Sequence, residues 1–574
     1  MREVSIILPI RASKAKEQAR QAQHRHIAPH GADRWRIRRP GGDDAPLPIR
    51  STRPTGGPMP APRHLAATSL AALAALSLTA CASGGAGSAG DSINATLGTD
   101  PGGFDPALAR AADDYVVDRM LFDTLLRKDD GNVLVGGLAT DWEAASASDY
   151  TFTIRDDASC ADGTPITPTV VADSLTRFAD PVTASTGRTL ALGGASAEIT
   201  PDDAAGTVHV ALSEDWADFL TGMTLPHSGI VCPAGLADPE GLLAGTVPGA
   251  FSGPYALTAS QPAVSYEMTL RDDYDAWPAF ADPLEGTPAT TVTFTPIADP
   301  ATLATQLLSR GVDVASFSGE EVERFDGDDA FTPTQVTGLT SYLLFNQREG
   351  SPFAGRPDLR RAVAQAVDGV ALTDVLTDGR GERIASVSSD AVSCVSTDDG
   401  LLVPEDPEAA SAALAGVPIR LVGTQLFGPG NEYIAEVLRA AGADVSYDEL
   451  DNANWSTTTG SPTGWDVTLQ GDINLMGTLT SSLLRVMGPS QEDGGRNKTG
   501  VVDDAGYAAL TEAMAVVDPE ERCGPMQAAQ ASVLETVSAA PLAAVPTTVV
   551  TAEGISIRAF DDYIDPSTMR VVAE

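Results

Sequence analysis

The stretch that decides the fold is residues 120–180, MLFDTLLRKDDGNVLVGGLATDWEAASASDYTFTIRDDASCADGTPITPTVVADSLTRFAD. Near its middle, Tyr150, Phe152 and Ile154 alternate with two threonines, which is the period-2 pattern of a strand with one buried face. The Asp-Gly-Thr-Pro sequence at 162–165 predicts a turn, because glycine tolerates a positive φ and proline fixes its own φ. A strand followed by a tight turn is therefore expected here.

A helix is predicted to begin directly after that turn. Thr167 can cap its amino end through the side-chain hydroxyl, and Pro168 suits the first helical position. Val171, Leu175 and Phe178 then fall on one helical face, at spacings of four and three. The stretch therefore reads as strand, turn and helix, a unit that is typical of a mixed α/β protein.

Four elements of this stretch occur in an order that is typical of one protein family. They are a short helix, a Gly-Leu-Ala…Trp-Glu element, a Tyr-Thr-Phe strand and an Asp-Gly-Thr-Pro turn, found within 122–143 and 150–178. In this order and spacing the chain resembles the family 5 extracellular solute-binding proteins, the oligopeptide, dipeptide and nickel receptors of bacterial ABC importers. The resemblance implies an α/β, two-lobed periplasmic-binding-protein-like fold of type II. It further implies mixed sheets, the extra subdomain of the peptide-binding class and an interlobe ligand cleft.

A second match to the family lies in the middle of the chain. Residues 342–346, YLLFN, resemble the family's Tyr-Leu-Gly-Phe-Asn strand, and DLRRAVAQAVD at 358–368 follows with an apolar stripe at helical spacing. SGPY at 252–255 resembles a family turn, and the pattern predicts a helix over 115–126. The resemblance thus covers nearly all of residues 91–574.

The resemblance also divides the chain after its amino-terminal part. It implies that the middle and carboxyl-terminal segments cross between two lobes. The expected boundaries are 91–240 for the first part of lobe one with the extra subdomain, 241–335 for its second part, 336–540 for lobe two and 541–574 for a return to lobe one.

The amino-terminal part resembles an export signal. Within 59–80, a basic start precedes an apolar run shorter than the roughly 20 residues of a spanning helix. Leu-Thr-Ala-Cys, ending at Cys81, resembles the bacterial lipobox, whose cysteine is lipidated, and the Gly/Ser-rich 81–90 segment predicts a flexible tether. Residues 1–58 are Arg- and Pro-rich without periodicity, which predicts a disordered extension and favours a translation start at Met59.

The charge of the chain excludes some partners. The first 80 residues contain 13 Lys/Arg and 5 Asp/Glu, so the chain from Cys81 onward has 24 basic and 73 acidic residues, a formal charge of −49. Nucleic acids need basic patches, so they are not expected as partners. Only Lys128 and Lys498 are lysines in this part of the chain, which we read as the codon bias of a GC-rich genome.

Four cysteines follow Cys81, and four cysteines allow three pairings. Export exposes them to an oxidising setting, which favours disulfides over reduced core thiols. The lobe assignment that the resemblance implies puts Cys160 and Cys232 in lobe one and Cys394 and Cys523 in lobe two. The resemblance therefore implies the disulfides Cys160–Cys232 and Cys394–Cys523.

Enzyme and cofactor motifs are absent from the sequence. It contains no GxxxxGK[ST] loop and no HExxH motif, and a Ser-x-x-Lys occurs only at 13–16. After Cys81 only His209 and His227 remain, too few and too far apart to predict a metal site, so we read them as surface or core histidines. We therefore expect no catalytic residues, no metal and no cofactor.

Peptide-binding members of the family pair a lobe-two aspartate with the peptide's α-ammonium. Asp472 is the best positional match, although the tryptophan after the glycine and the following Asp-Pro are missing here. The resemblance thus implies that Asp472 contacts a cationic or hydroxyl-rich ligand; the alternative is an exposed loop carboxylate. Trp455, Trp465, Tyr274 and Asn346 are further candidate ligand contacts, since aromatic side chains offer stacking area, with core packing as the alternative for Trp465 and Tyr274.

Arg110 and Asp113 follow the loop after the first strand and are candidates for the rim of lobe one. Taken together, the sequence predicts a monomeric, lipid-anchored receptor on the outer face of the cell membrane. It is expected to capture a small solute, a peptide first of all, and to deliver it to ABC permease subunits. An oligosaccharide or nickel/haem receptor on the same fold, and a secreted hydrolase, are the alternatives.

Overall fold

A computed structural model describes residues 92–561 and 563–572. The predictions for the extension, the signal segment, Cys81 and the tether lie outside these residues. Within them, no helix is both long and apolar enough to cross a membrane.

The strands in chain order are β1 (Ser92–Leu97), β2 (Leu126–Lys128), β3 (Leu134–Gly136), β4 (Ala139–Ser146), β5 (Asp149–Ile154), β6 (Ala197–Asp202), β7 (Thr207–Leu212), β8 (Tyr255–Gln261), β9 (Ser265–Leu270), β10 (Thr287–Pro288), β11 (Thr291–Pro296), β12 (Val314–Phe317), β13 (Phe331–Phe345), β14 (Glu382–Arg383), β15 (Pro418–Thr424), β16 (Asp444–Leu450), β17 (Val467–Asp472), β18 (Ala539–Ala552), β19 (Ile555–Ser556), β20 (Ala559–Phe560), β21 (Tyr563–Ile564) and β22 (Arg570–Val571).

The α-helices in chain order are α1 (Ala112–Leu121), α2 (Pro168–Ala179), α3 (Arg188–Leu192), α4 (Phe219–Gly222), α5 (Pro233–Ala237), α6 (Pro239–Leu243), α7 (Pro300–Leu308), α8 (Pro357–Ala366), α9 (Gly369–Thr377), α10 (Pro407–Leu414), α11 (Gly428–Ala440), α12 (Asn452–Gly460), α13 (Leu479–Leu483), α14 (Asp504–Met514) and α15 (Cys523–Glu535).

One mixed sheet runs through both lobes, and two long strands hold it together. Its order is β16-β15-β17-β13-β18-β12-β1-β11-β9-β8, with β14 paired to β18. We call the part built on β12, β1, β11, β9 and β8 lobe one, and the part built on β16, β15 and β17 lobe two. Strands β13 and β18 pair antiparallel and belong to both parts, so they are the connection on which the lobes can pivot.

The pairing of the two crossing strands is irregular near its middle. The register between β13 and β18 shifts at Thr337 to Leu339, around Gly338. A side chain at Gly338 would overlap the side chain of Thr547 on β18, so only glycine lets the two backbones approach this closely. A second register shift follows between Ser341 and Tyr342.

The predicted strand, turn and helix are confirmed. Strand β5 buries Tyr150, Phe152 and Ile154, each at most 6% exposed, and lies in the four-stranded sheet β4-β5-β7-β6 of the extra subdomain. The following turn has Gly163 at a φ of +83°, and Thr167 caps α2 by accepting a hydrogen bond from the Val170 amide.

The helix predicted over 115–126 is wrong at both ends, because the structure has α1 at Ala112–Leu121. Phe122 is extended, with φ −130° and ψ 133°. The Asp123 amide donates to the Ser252 hydroxyl at 3.0 Å, which draws the chain out of the helix and toward β2. A long-range hydrogen bond therefore decides a helix end that the apolar pattern alone extends.

Both implied disulfides are present in the structure. Cys160–Cys232 closes a loop of 72 residues and both cysteines are fully buried, whereas Cys394–Cys523 closes a loop of 129 residues and both cysteines are partly accessible.

We expect the double variant Cys160→Ala/Cys232→Ala to lose about 2–4 kcal/mol of unfolding free energy. Without the crosslink, the unfolded chain regains the conformational entropy that closing the loop removes. Urea denaturation of the variant and the parent measures the difference.

Under native conditions a mild reductant should open Cys394–Cys523 first, because those sulfurs are accessible. Peptide mapping that finds Cys160–Cys232 opening first would contradict the burial argument.

Candidate functional site

The two lobes are in contact on both sides of the space between them. The Lys128 ammonium donates to the Leu475 carbonyl at 3.2 Å, which joins β2 of lobe one to the segment after β17. On the subdomain side, Arg522 pairs with Asp218 at 2.8 Å. The Ala217 amide also donates to the Met514 carbonyl at 2.9 Å. These contacts describe a closed cleft, and the residues inside it form the candidate site.

Asp472 lies inside this cleft rather than on an exposed loop. It ends β17, opposite Thr340 of β13, and its side chain is fully buried. One carboxylate oxygen accepts from Arg485 in an ion pair, and the other has no hydrogen-bond partner among the described residues. Asp472, the carboxylate to which the resemblance points, is therefore already paired with a cation of lobe two, Arg485.

Lys498 is buried close to Asp472 and holds only neutral partners. Its ammonium donates to the Thr459 hydroxyl at 3.1 Å and to the Gln470 side-chain carbonyl at 3.2 Å, and it lies 4.1 Å from the centroid of the Trp455 ring. The residue is 4% exposed. Burial first, and then the positive charge of Arg485, lower the pKa of the Lys498 ammonium to about 7.

Arg496 is a third cation in the same place. It is partly accessible and makes no hydrogen bond or ion pair within the described part of the chain. Burial and the neighbouring Arg485 lower the pKa of its guanidinium to about 9. The charges of Arg485 and Asp472 thus act on both Arg496 and Lys498.

Two tyrosines lie near these cations, Tyr342 on the crossing strand β13 and Tyr115 on α1 of lobe one. Tyr342, on β13, is fully buried and its hydroxyl has no hydrogen-bond partner among the described residues. Burial raises the pKa of Tyr342 well above its ordinary value, and Asp472 adds to this rise while Arg485 and Arg496 oppose it. Tyr115, on α1 of lobe one, also has a pKa raised by burial and lowered in part by the same two arginines. The cations therefore lie where the lobes meet.

Two buried titratable groups of lobe one, His227 and Asp118, lie near Tyr115. His227 packs its ring 5.1 Å from that of Tyr115 and lies 3.2 Å from the Ala109 carbonyl, and burial lowers its pKa to about 4. Asp118 is buried, neither of its oxygens has a hydrogen-bond partner among the described residues, and burial raises its pKa well above the ordinary value.

Tyr274 belongs to a separate buried cluster that ties the carboxyl-terminal segment to β2. Arg127 pairs with Asp123 and with Asp565, both at 2.9 Å. The Tyr274 hydroxyl donates to Asp123 at 2.8 Å. All of these contacts lie within lobe one.

The other sequence candidates have these positions. Asn346 donates to the carbonyls of Pro462 and Trp465 at 3.1 Å, and Trp465 is fully buried within lobe two. Asp113 accepts hydrogen bonds from the Gly98–Thr99 backbone, and Arg110 is exposed. Trp455 and Asp472 are the two candidates that the structure brings together, around Lys498.

Sequence reasoning missed the cations that dominate the cleft. Arg485 and Arg496 stand in a segment without strong motifs, and nothing local marks them. Lys498 did carry a signal, because Lys128 and Lys498 are the only lysines after Cys81 and both are buried at the cleft.

The structure has one cavity between the lobes and a larger one inside lobe two. One of about 70 Å³ lies between the lobes, and it is lined by Lys128, Asn132, Thr340, Asp472, Asn474 and Tyr563 among others. The larger, about 270 Å³, lies inside lobe two between α8, α9 and β18. It is away from the cleft and holds none of the charged residues described above. The described residues contain no group of three or more His, Cys, Asp or Glu side chains positioned to hold a metal.

Comparison with known proteins agrees with this architecture. Residues 133–483 match the family model described as bacterial extracellular solute-binding proteins, family 5 Middle. The periplasmic murein peptide-binding protein MppA of Escherichia coli (strain K12) is 27% identical over 304 residues, 50% of this chain and 54% of MppA. The chain thus spans about half the length of that curated relative.

Solved structures are similar over a longer part of the chain. A substrate binding protein from Microbacterium hydrocarbonoxydans, complexed with 4-hydroxybenzoate hydrazide, is 38% identical with a TM-score of 0.76, and the match covers 84% of this chain and 100% of that one. A dipeptide binding protein from Pseudoalteromonas sp. SM9913 in complex with Met-Leu shares the fold, at 17% identity and a TM-score of 0.72 over 84% of this chain and 100% of that one. With the two-lobed architecture, these matches show that the chain belongs to family 5 of the bacterial extracellular solute-binding proteins.

Proposed function

We propose that the protein is an extracytoplasmic receptor that captures a small organic solute between its lobes and delivers it to the permease of an ABC importer. The observation that supports this most directly is the buried, charged cleft between two lobes that the crossing strands β13 and β18 connect. Ligand groups can touch both walls only when the cleft is closed. Binding therefore shifts the equilibrium toward the closed form, by as much as the affinity of the solute for the closed form exceeds its affinity for the open form.

The proposal includes a lipid anchor on Cys81. A cysteine with two or more acyl chains holds a protein stably at a membrane, whereas one chain gives only marginal attachment. Metabolic labelling with an alkyne fatty acid is expected to label the parent and not Cys81→Ala, and the variant is expected in the soluble fraction.

Two solute classes follow from the relatives. MppA is named for murein peptides, whereas the Microbacterium protein, more similar in sequence, holds an aromatic hydrazide. A peptide needs a carboxylate for its ammonium group, and the cleft carboxylate Asp472 is paired with Arg485. This pairing favours a small aromatic solute, like the one that the Microbacterium protein holds, over a peptide as the ligand.

A thermal-shift screen tests the receptor function. The probes are Met-Leu, 4-hydroxybenzoate hydrazide, maltotriose and a nickel chelate, followed by calorimetry and mass spectrometry of the recovered compound. A receptor is stabilised by about 2.7 kcal/mol at a ligand concentration 100 times Kd and returns the ligand unchanged. Conversion of the compound would support the hydrolase alternative instead.

Arg522→Gln tests closure itself. In the closed form the variant leaves Asp218 buried without its cation, whereas in an open form water can solvate that carboxylate, so only closure is penalised. We expect the affinity for the solute found in the screen to fall roughly 10-fold or more. Arg155→Gln, which breaks an ion pair with Asp157 inside lobe one, is the matched control and should bind normally. Equal affinity of both variants would contradict closure through this contact.

A further inference from the structure

We infer that the cavity between the lobes holds an uncharged N–H or O–H group of the solute, such as an amide, a hydrazide or a hydroxyl, and that this group donates a hydrogen bond to Oδ2 of Asp472. The inference rests on the proposed function, including its small aromatic solute. It adds the chemical group by which that solute is recognised.

A buried acceptor without a donor is the first observation. The Asp472 side chain is fully buried, and it lines the cavity of about 70 Å³ between the lobes. Oδ1 of its carboxylate accepts from the Arg485 guanidinium, whereas Oδ2 has no hydrogen-bond partner among the described residues. An unpaired acceptor in a buried site is unfavourable, so a solute group that donates to Oδ2 favours the closed form.

Two donors that line the same cavity are used within the protein. Thr340, directly opposite Asp472 on β13, donates its hydroxyl to the Val387 carbonyl at 3.1 Å. The side-chain amide of Asn474 donates to the Thr478 carbonyl at 2.8 Å. The neighbouring side chains therefore leave Oδ2 available to the solute.

The charge around Asp472 is the second observation. Arg485 forms an ion pair with the carboxylate, so its negative charge already has a partner. Lys498 donates to the Gln470 side chain at 3.2 Å, and Gln470 lies two positions before Asp472 on the same face of β17. From lobe one, Lys128 lines the same cavity. An ammonium group of the solute would add a positive charge among these three cations, whereas an uncharged donor adds none.

Tyr342 adds a second polar group without a partner on the same face of the sheet. In the pairing of β13 with β17, Thr340 is opposite Asp472, and Tyr342 lies two positions further along β13, as the diagonal neighbour of the carboxylate. Its side chain is fully buried, and its hydroxyl has no hydrogen-bond partner among the described residues. Because a hydroxyl both donates and accepts, a solute group that does the same matches this face, and an ammonium group can only donate.

The size of the cavity fits one polar group rather than a whole solute. Its volume of about 70 Å³ exceeds the space that a water molecule needs, but it is about half of the roughly 150 Å³ in which a benzene ring binds. Phe560 and Tyr563 also line the cavity, so an aromatic ring attached to the donor group meets aromatic side chains. The polar end of a small aromatic solute therefore fits this place.

Two other carboxyl groups bear on the charge of the solute. Asp561 lines the same cavity, but it is exposed and accepts from the Gly131 amide at 2.8 Å, so water and the backbone solvate its charge. Asp118 is buried and its oxygens have no hydrogen-bond partner among the described residues, but it is not one of the residues that line this cavity. Recognition of an ammonium group is thus a separate outcome of the experiment below.

The experiment titrates five matched compounds into the purified full chain by calorimetry. The first, 4-hydroxybenzoate hydrazide, has donors at both ends. In 4-methoxybenzoate hydrazide the phenol donor is blocked, in methyl 4-hydroxybenzoate the hydrazide donors are removed, and methyl 4-methoxybenzoate has neither. In 4-hydroxybenzylamine an ammonium group replaces the hydrazide. We expect removal of the donor that enters the cavity to weaken binding on the order of 10- to 100-fold, and the ammonium compound to bind more weakly than the hydrazide.

Asp472→Asn assigns the donor to this carboxylate. With its oxygen toward Arg485, the asparagine turns its N–H₂ group toward the solute, so the preference for the donor compound over its blocked analogue should fall to within about threefold. Asp466→Asn is the matched control, because Asp466 is a buried carboxylate of lobe two that pairs with Arg420, and this variant should keep the full preference. Thermal midpoints without ligand show whether both variants are folded.

Arg485→Gln keeps the inference testable if Asp472→Asn does not fold. This variant leaves the charge of Asp472 without its ion-pair partner, so a cationic solute should gain affinity. We expect 4-hydroxybenzylamine to improve roughly 10-fold relative to 4-hydroxybenzoate hydrazide. An unchanged ratio of the two affinities would contradict the neutralising role of Arg485 and overturn the inference.

The outcomes separate this inference from the receptor function. If the donor-free ester binds as tightly as the hydrazide, or if Asp472→Asn keeps the full preference, the inference is overturned while the receptor function stands. The same holds if the parent binds 4-hydroxybenzylamine or Met-Leu more tightly than the hydrazide, since an ammonium group is then what the cleft recognises. If none of the five compounds binds, the inference fails, and the receptor function is decided by the other probes of the thermal-shift screen.

Discussion

Replacing Arg127 by methionine is expected to lower the free energy of unfolding by about 3–5 kcal/mol. Arg127 is 2% exposed and is the cation between two buried carboxylates, those of Asp123 and Asp565, each 2.9 Å away. Methionine fills a similar volume but removes the cation with which both buried carboxylates form ion pairs. Asp565 lies near the end of the described chain, so the loss should also release the carboxyl-terminal segment from β2.

The pH dependence of this loss follows from the carboxyl groups. In the parent, burial acts to raise the pKa of Asp565, but the charge of Arg127, with that of Arg119 and the hydrogen bonds from Ser567, lowers it below its ordinary value. The stability that the ionised Asp565 contributes is therefore present above the ordinary pKa. It is lost as the pH falls through the lowered pKa. Burial raises the pKa of Asp123 even beside Arg127. In the variant the charge of Arg127 no longer opposes burial at either carboxyl group, and the penalty for burying the two charges disappears as the groups become protonated. The difference between variant and parent should therefore shrink as the pH is lowered from about 7 to about 4.

Urea denaturation at several pH values measures this prediction. Arg155→Met is the matched control, because its partner Asp157 is 55% exposed and such surface pairs contribute about 0–1 kcal/mol. A loss in Arg127→Met as small as that of the control, or one that grows toward acid pH, would contradict the role of the buried cluster.

Replacing Trp465 by alanine is expected to cost about 3–5 kcal/mol of unfolding free energy. The side chain is fully buried at the start of β17, in the core shared with Trp455 and Leu479, and its indole N–H donates to the Ser461 carbonyl at 2.9 Å. Alanine would leave a large cavity and an unpaired carbonyl. The loss should appear as a lower midpoint of denaturation.

Trp465→Phe separates packing from ligand contact. Phenylalanine keeps most of the apolar volume, so the variant should fold, with a smaller loss of stability, and should bind the solute with an affinity within about threefold of the parent. A variant that is as stable as the parent but no longer binds would instead make Trp465 a ligand contact.

Local chemistry made much of the fold predictable. Strand β5, its turn at Gly163 and the capped helix α2 follow from patterns that span fewer than about a dozen residues each, and the structure has all three. The end of α1 could not be predicted in this way, because it depends on a hydrogen bond between Asp123 and Ser252, 129 positions apart. The pairing of both disulfides could be predicted only from the lobe assignment that the family resemblance implied.

The sequence by itself determined the family, because its motifs occur in a fixed order, and the resemblance in turn implied the two-lobed fold and pointed to Asp472. Only the tertiary structure decided what surrounds that carboxylate. Tyr115 on α1, Tyr342 on β13 and Arg485 after α13 come from distant segments and lie close together only in the folded chain. Charge balance in a buried site is a property of that meeting, since the interaction between charges depends on their separation and burial and not on their order in the chain.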